Sequence, residues 1–142
     1  MIMKKLILFL LILCNCLICN AGGISKEVLT ANTWKVVYPD FHGKQTHMFK
    51  FNLDNTLTIK VTFHQRNYTG TAFYRYYLTD MQPTAFEMND NIDNNSGRYV
   101  VVKNKKDKEK NKPSFCWENI STDKNIIEFK DQTGQLWILE KQ

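Results

Sequence analysis

The sequence predicts an all-β domain, an eight-stranded antiparallel barrel with up-and-down strand order and a short helix before its first strand. Apolar residues recur with a period of two in short runs, and no amphipathic helix longer than about two turns is visible. The connections are too short for the helical crossovers of a parallel sheet. Hydrophobic residues make up 43% of the 142 residues and aromatic residues 13%, which suffices for one packed core. An open sandwich of the same strands is the alternative.

The first 21 residues have the organisation of a secretory signal peptide. Lys4 and Lys5 precede an apolar run that begins at Leu6, and small residues around Ala21 suit a signal peptidase. The run is too short for a transmembrane helix, which needs about 20 apolar residues. We therefore expect residues 1–21 to be removed and residues 22–142 to form an exported barrel domain, periplasmic or secreted.

Three of the four cysteines lie within this leader, so the even count does not indicate a disulfide framework. Cys14 or Cys16 could instead be the lipid-modified first residue of a lipoprotein, and only then would the domain be held at a membrane. Plain secretion is the favoured interpretation. Cys116 is expected to be an inert strand thiol, because nothing in the sequence places a base beside it.

The clearest strand is predicted at Thr56–Phe63, where apolar and polar residues alternate over the whole length. Gln45–Phe51 precedes it, and the turn-forming residues 52–55 between the two predict a hairpin. Thr71–Thr79 is expected to turn its uncharged face inward. Further elements are expected at residues 25–32 (a helix), Thr33–Tyr38, Arg98–Lys103, Ser114–Ile120, Asn125–Lys130 and Gln135–Glu140.

Two connections are longer than hairpins need. Asp80–Gly97 is rich in Asn and Asp but carries several apolar residues, so we expect it to lie as a lid or belt across one end of the barrel. Asn104–Pro113 is rich in Lys and is expected to be a solvated loop or a docking patch for an acidic surface.

Several segments together resemble the lipocalin-like exported proteins of Bacteroidetes-type bacteria. They are Trp34 in the stretch 32–37, the hairpin 49–57, Tyr76–Asp80 and residues 95–99. The resemblance covers about residues 29–140. It implies an eight-stranded antiparallel barrel exported to the cell envelope and often tethered by lipid, in a group whose functions are mostly unassigned.

Aromatic residues expected inside the barrel are the best candidates for a ligand site. Small-molecule sites are largely apolar with a few placed polar groups, which His47, Tyr74 and Tyr76 would supply here. The alternative is that the rings fill a narrow barrel and leave no cavity. The predicted ligand-binding residues are Trp34, His47, Phe49, Phe51, Phe63, Tyr74, Tyr76 and Trp117.

The sequence contains no recognisable motif for catalysis, cofactor binding or metal binding. His42 and His47 lie five residues apart, but no cysteine or carboxylate is spaced to complete a zinc set with them or with His64. The acidic stretch 90–97 does not fit the register of an EF-hand. Nucleotide-binding loops and hydrolase elbows are missing, so we expect a protein without enzymatic activity, cofactor or metal.

Nucleic acid is not expected as a partner, because the leader directs export and the basic residues are concentrated in Lys103–Lys112. Loss of Lys4 and Lys5 also lowers the formal net charge from +5 to +3. The expected function is binding of a small hydrophobic ligand or lipid in the cell envelope. The alternative is an envelope protein-protein interaction module, of inhibitor or immunity type, with a filled barrel that acts through loops His64–Gly70 and Asn104–Pro113.

Overall fold

The computed structural model describes residues 23–86, 94–106 and 112–142. The predicted signal peptide lies outside these ranges, as do residues 107–111 of the Lys-rich connection and half of the acidic stretch 90–97. In chain order the elements are β1 (Ile24–Ser25), α1 (Lys26–Ala31), β2 (Thr33–Tyr38), β3 (Gln45–Phe51), β4 (Thr56–Phe63), a 3-10 helix (His64–Arg66), β5 (Tyr68–Thr79), β6 (Ser96–Gly97), β7 (Tyr99–Asn104), β8 (Phe115–Thr122), β9 (Ile126–Lys130) and β10 (Leu136–Lys141).

Eight of the strands form a closed antiparallel barrel, which confirms the predicted fold. β2 pairs with β3, β3 with β4, and β4 with β5. β5 then pairs with β7, and the order continues through β8 and β9 to β10. Because β10 also pairs with β2, the sheet is closed, and the sandwich alternative is excluded. Strands β1 and β6 form a separate two-stranded ribbon that the sequence did not predict.

The predicted limits of β2, β3 and β4 are correct, whereas β5 begins three residues earlier than predicted. Asn67 takes a left-handed conformation with φ of 48°, which turns the chain sharply after the 3-10 helix. Tyr68 therefore pairs directly with Phe63, and the hairpin ladder is complete from its first residue. The alternation was hidden because Thr69, Gly70 and Thr71 carry no large apolar side chain.

One end of the barrel, which we call the closed end, is covered by α1. Ser25 caps this helix, with its hydroxyl accepting a hydrogen bond of 3.1 Å from the Val28 amide. Leu29 on the helix is fully buried in the core. The indole Nε1 of Trp34 donates a hydrogen bond of 2.9 Å to the Leu29 carbonyl, which fixes the helix on the barrel.

A polar network holds the closed end together below the helix. Lys26 is almost fully buried, and its ammonium donates to Asn55 Oδ1 at 2.6 Å. The Asn55 amide donates to the Tyr76 carbonyl at 3.1 Å, and the Tyr76 hydroxyl donates to the Asn52 carbonyl at 2.8 Å. These three hydrogen bonds therefore fix the β3–β4 turn against α1 and β5.

The described parts of the Asp80–Gly97 connection lie at the closed end and along the outside of the barrel. Gly97 pairs with Ile24, and Asn94 donates a hydrogen bond to the Leu78 carbonyl. Phe86 packs edge-on against Tyr77, whose side chain points outward from β5 yet is buried. The described parts thus lie on the closed-end side of the barrel and against its outer face.

Within the ranges that the structure describes, no helix has the length and apolar character needed to span a bilayer.

Candidate ligand cavity at the barrel mouth

The end opposite the closed end, which we call the mouth, is formed by the connections that follow β2, β4, β7 and β9. The barrel interior is packed from the closed end to about its middle. Towards the mouth a cavity of about 160 Å³ remains, which we call the mouth cavity. It is lined by His47, Phe49, Ile59, Val61, Tyr74, Phe115, Trp117 and Trp137.

Strand register explains why these side chains meet. Alternate residues of a barrel strand point inward, and residues paired across neighbouring strands lie side by side on the wall, while the tilt of the strands changes their height from one strand to the next. His47 pairs with Val61, and Phe49 pairs with Ile59, so β3 and β4 each give two neighbouring levels of the wall. The other lining residues come from the middle of β5 and from the mouth ends of β8 and β10.

Four of the eight predicted ligand-binding residues line the mouth cavity: His47, Phe49, Tyr74 and Trp117. The other four do not line it. Phe63 lies at the rim, where its ring is 6.1 Å from that of Tyr68, and it lines a shallow surface depression with Lys44 and Arg66.

Trp34, Phe51 and Tyr76 point inward as predicted, but they are buried at the closed end. The rings of Phe51 and Tyr76 pack edge to face at 5.1 Å, and all three side chains have no exposed surface. Tyr76 cannot serve as a polar handle for a ligand, because its hydroxyl is already bonded to Asn52. Both expectations for the interior therefore hold in part, since one half of the barrel is filled and the other half is not.

The other four lining residues are not among those that the sequence predicts for the site: Ile59, Val61, Phe115 and Trp137. Ile59 and Val61 were on the predicted inward face of β4, but residue type alone does not separate wall from packed core. Trp137 shares the inward face of β10 with Leu139, two positions on. Only the register shows which inward residues lie on the mouth side.

The most unusual polar group of the cavity wall is the indole of Trp117. The side chain is 2% exposed, and its Nε1 has no hydrogen-bond partner among the described residues. Rings of Phe49, Phe115 and Phe129 stack on the indole with centroid distances of 5.6, 5.4 and 5.8 Å. A buried donor without an acceptor costs about 1–3 kcal/mol, so such groups are rare in stable proteins.

Tyr74 adds a second donor to the same wall. Its side chain is half-buried, and burial raises the pKa of its phenol, which therefore stays protonated at neutral pH. No hydrogen bond joins its hydroxyl to another residue of the described ranges. Two lining residues thus carry neutral donors that bond to no described residue.

His47 is the one titratable nitrogen base on the wall. Its ring stacks on Phe41 at a centroid distance of 4.2 Å, and its Nε2 lies 2.9 Å from Gln45 Oε1. Burial lowers the pKa of the imidazole below its ordinary value, so the ring is neutral at pH 7. With that amide orientation Nε2 donates to Gln45.

The second tryptophan of the wall, Trp137, differs from Trp117 because its indole is satisfied. Its Nε1 donates a hydrogen bond of 3.0 Å to Asp131 Oδ2. Burial acts to raise the pKa of Asp131, but hydrogen bonds from Thr133, Trp137 and Gln135 outweigh it, and the net pKa is lowered. Asp131 is therefore an anion at neutral pH and is held outside the lining of the cavity.

The histidines and Cys116 do not form a reactive cluster. His42 is exposed beside Asp40, His47 lies on the cavity, and His64 Nε2 is 2.7 Å from the Thr46 hydroxyl. Within residues 23–86, 94–106 and 112–142, no three His, Cys, Asp or Glu side chains are arranged to hold a metal ion. Burial and the nearby Glu118 raise the pKa of the Cys116 thiol, which keeps it in the unreactive protonated form.

Comparison of the chain with protein-family models, curated proteins and solved structures gave no match. The functional assignment therefore depends on the geometry of the cavity and on the sequence.

Proposed function

We propose that this protein is an exported, non-enzymatic lipocalin-like barrel that binds a small hydrophobic ligand, or the end of a lipid, in the cell envelope. The observation that carries the proposal is the mouth cavity, an apolar and mainly aromatic chamber inside an otherwise packed barrel. Eight-stranded barrels are just wide enough either to be filled by side chains or to hold one small ligand. This barrel is filled by side chains towards the closed end and keeps a cavity towards the mouth, which supports the proposal.

The size of the cavity limits the ligand. Drug-sized molecules occupy sites of about 300–1,000 Å³, whereas an apolar cavity of about 150 Å³ accepts a molecule such as benzene. At about 160 Å³ the mouth cavity suits a single ring or a short branched chain. A longer lipid would place only its terminal segment inside and leave the remainder at the mouth.

Export is supported by the leader sequence and by the resemblance to lipocalin-like envelope proteins. The absence of enzymatic activity is supported by the chemistry of the wall, which has a neutral imidazole and neutral donors but no carboxylate or thiolate. Whether Cys14 or Cys16 carries a lipid decides only whether the barrel is free or anchored at a membrane.

Native mass spectrometry of the exported full-length gene product, purified from a bacterial periplasm, tests the proposal. We expect one small hydrophobic molecule to be bound per protein, with its identity given by solvent extraction and mass analysis. A bare protein mass, together with no uptake of benzene-sized probes, would contradict ligand binding and favour the alternative below.

A matched pair of variants localises any ligand. Val61→Trp places a large ring in the mouth cavity, whereas Thr62→Trp adds the same ring to the outer face of the same strand. We expect Val61→Trp to abolish retention of the ligand and Thr62→Trp to preserve it, with both proteins folded by circular dichroism. Equal retention by the two variants would show that the ligand binds elsewhere.

A second candidate function, an envelope protein-protein interaction module, is favoured by a groove on the outside of the barrel. The groove has a volume of about 400 Å³ and lies beside Phe73, whose side chain is 55% exposed, and the two lysines Lys105 and Lys106. An aromatic ring flanked by cations suits an acidic protein partner. Reversing Lys105 and Lys106 to Glu should then abolish capture of that partner from an envelope extract without changing ligand content.

A further inference from the structure

We propose that the ligand of the mouth cavity is a small, neutral, mainly apolar molecule that carries a carbonyl or similar hydrogen-bond acceptor, and that Trp117 Nε1 donates to this acceptor. The inference rests on the proposed function, because it assigns the chemical class of ligand to the same cavity.

Two residues that line the cavity have hydrogen-bond donors without a partner among the described residues. Trp117 Nε1 is a donor only, it is buried, and no acceptor among the described residues reaches it. Of the three tryptophans, Trp34 donates to Leu29 and Trp137 donates to Asp131, so the lack of a partner is particular to Trp117. The Tyr74 hydroxyl is a further unused donor, so the wall offers donors to a ligand.

The lining of the cavity is also uncharged. None of the eight lining residues is Lys, Arg, Asp or Glu. The Nε2 of His47 is hydrogen-bonded to Gln45 Oε1, and the imidazole ring stacks on Phe41. A carboxylate inside this cavity would lose its hydration without gaining a cation, whereas a carbonyl needs only one or two donors. A neutral acceptor therefore fits the wall better than an anion.

Three phenylalanine rings surround the indole of Trp117. They stack within 6 Å of the indole and seal Nε1 from solvent. Because Nε1 is itself buried, an acceptor reaches it only when a ligand ring displaces one of these side chains from the indole, and the N–H that the ligand then meets has no water competing for it. One ring bearing one acceptor also matches the volume of the cavity.

Three probes of nearly the same shape test the inference: acetophenone, α-methylstyrene and benzoate. They share a phenyl ring and differ in a carbonyl oxygen, a methylene and a carboxylate. Each is titrated into the solvent-extracted protein, and affinities are compared between the wild type, Trp117→Phe and Tyr74→Phe. The proton of the Trp117 indole N–H, assigned as the signal lost in Trp117→Phe, is followed by nuclear magnetic resonance.

We expect Trp117→Phe to weaken acetophenone binding about 5- to 10-fold, the value of one hydrogen bond, and to change α-methylstyrene binding less than about 2-fold. In the wild type, acetophenone should shift the Trp117 indole signal downfield and α-methylstyrene should not. This second readout does not depend on the folding of the variant. Tyr74→Phe should weaken acetophenone less than Trp117→Phe does, and benzoate should bind more weakly than acetophenone.

The outcomes separate the inference from the proposed function. If both neutral probes bind but Trp117→Phe affects them equally or not at all, the donor role of Trp117 is overturned while the cavity remains a binding site. Tighter binding of benzoate than of acetophenone would overturn the neutral class of ligand. If no probe binds, both the inference and the proposed cavity function fail.

Discussion

The closed end and the mouth half of this barrel each bury a tryptophan almost completely, and the two indoles have opposite polar environments. Trp34 is fully buried and donates to the Leu29 carbonyl at 2.9 Å, whereas Trp117 is 2% exposed and its Nε1 has no partner among the described residues. The closed end uses its polar groups to hold a helix and a turn in place. In the mouth half one buried indole donor lies beside a cavity without a partner among the described residues, and the proposed binding function depends on this difference.

Substituting phenylalanine at each of the two tryptophans should give the largest contrast. Trp34→Phe removes packing volume and leaves the buried Leu29 carbonyl without its donor, which together should lower the free energy of unfolding by about 3 kcal/mol. Trp117→Phe also removes volume, but it removes the unpaired donor too, so the loss should stay below about 1 kcal/mol. Urea denaturation of both variants measures the difference. Equal losses would mean that Trp117 has a polar partner after all.

The ribbon of β1 and β6 offers a second way to disturb the closed end alone. A Cβ atom at Gly97 would lie 2.5 Å from the Thr79 amide nitrogen, a backbone atom that cannot move aside. Gly97→Ala should therefore displace the ribbon and lower the free energy of unfolding by about 2 kcal/mol, within the range of overpacking. Gly70→Ala is the control, because its nearest contact is the Tyr68 side chain at 3.4 Å. Probe binding at the mouth should be unchanged in both variants, and its loss in Gly97→Ala would show that the two ends are coupled.

Two tyrosines on β5 allow a third comparison, of smaller size. Tyr76→Phe removes one of two donors to the Asn52 carbonyl, which also accepts from the Asn55 backbone amide at 3.2 Å, and should cost about 1 kcal/mol of stability, with no effect on binding of α-methylstyrene. Tyr74→Phe removes a hydroxyl that bonds to no described residue, so its stability should change by less than about 0.5 kcal/mol. Thermal unfolding distinguishes the two. A ligand effect from Tyr76→Phe would contradict the placement of Tyr76 outside the cavity.

The same comparison shows what the sequence can and cannot predict. Alternation of apolar residues predicts which side chains point inward, so Trp34, Phe49, Tyr76 and Trp117 were all placed in the interior correctly. It does not predict height along the barrel axis, which depends on the register between strands that are distant in sequence. Trp34 and Trp117 both have inward positions in strands, and only the pairing places one under α1 and the other beside the cavity.

The outer face of the barrel also has features that the sequence pattern does not predict. Tyr77 has the parity of an outward residue, yet it is 3% exposed because the segment around Phe86 covers it. Period-two patterns describe one strand and its two faces, and they carry no information on which loop packs over the outer face. The ribbon of β1 and β6 was missed for the same reason, since two-residue strands have no periodicity to detect.

The smallest expected effect is a pH dependence that comes from the mouth alone. In the folded protein burial lowers the pKa of His47 below the ordinary value of 6.5, so the unfolded chain binds a proton more readily. The contribution of His47 to stability is complete above about pH 6.5 and is lost as the pH falls from there towards the folded-state pKa. The aspartates with lowered pKa, which include Asp131 near the mouth, titrate below this window.

Urea midpoints measured from pH 7.5 to pH 5.5 should therefore decrease in the wild type and change much less in His47→Gln. His64→Gln, which alters an exposed histidine at the rim, should retain the wild-type slope. Acetophenone affinity should fall over the same interval, because a charged imidazole on an apolar wall attracts water into the space that the ligand occupies. If the slope instead disappears in His64→Gln and persists in His47→Gln, the titrating group lies at the rim, and the imidazole on the cavity wall does not control the mouth.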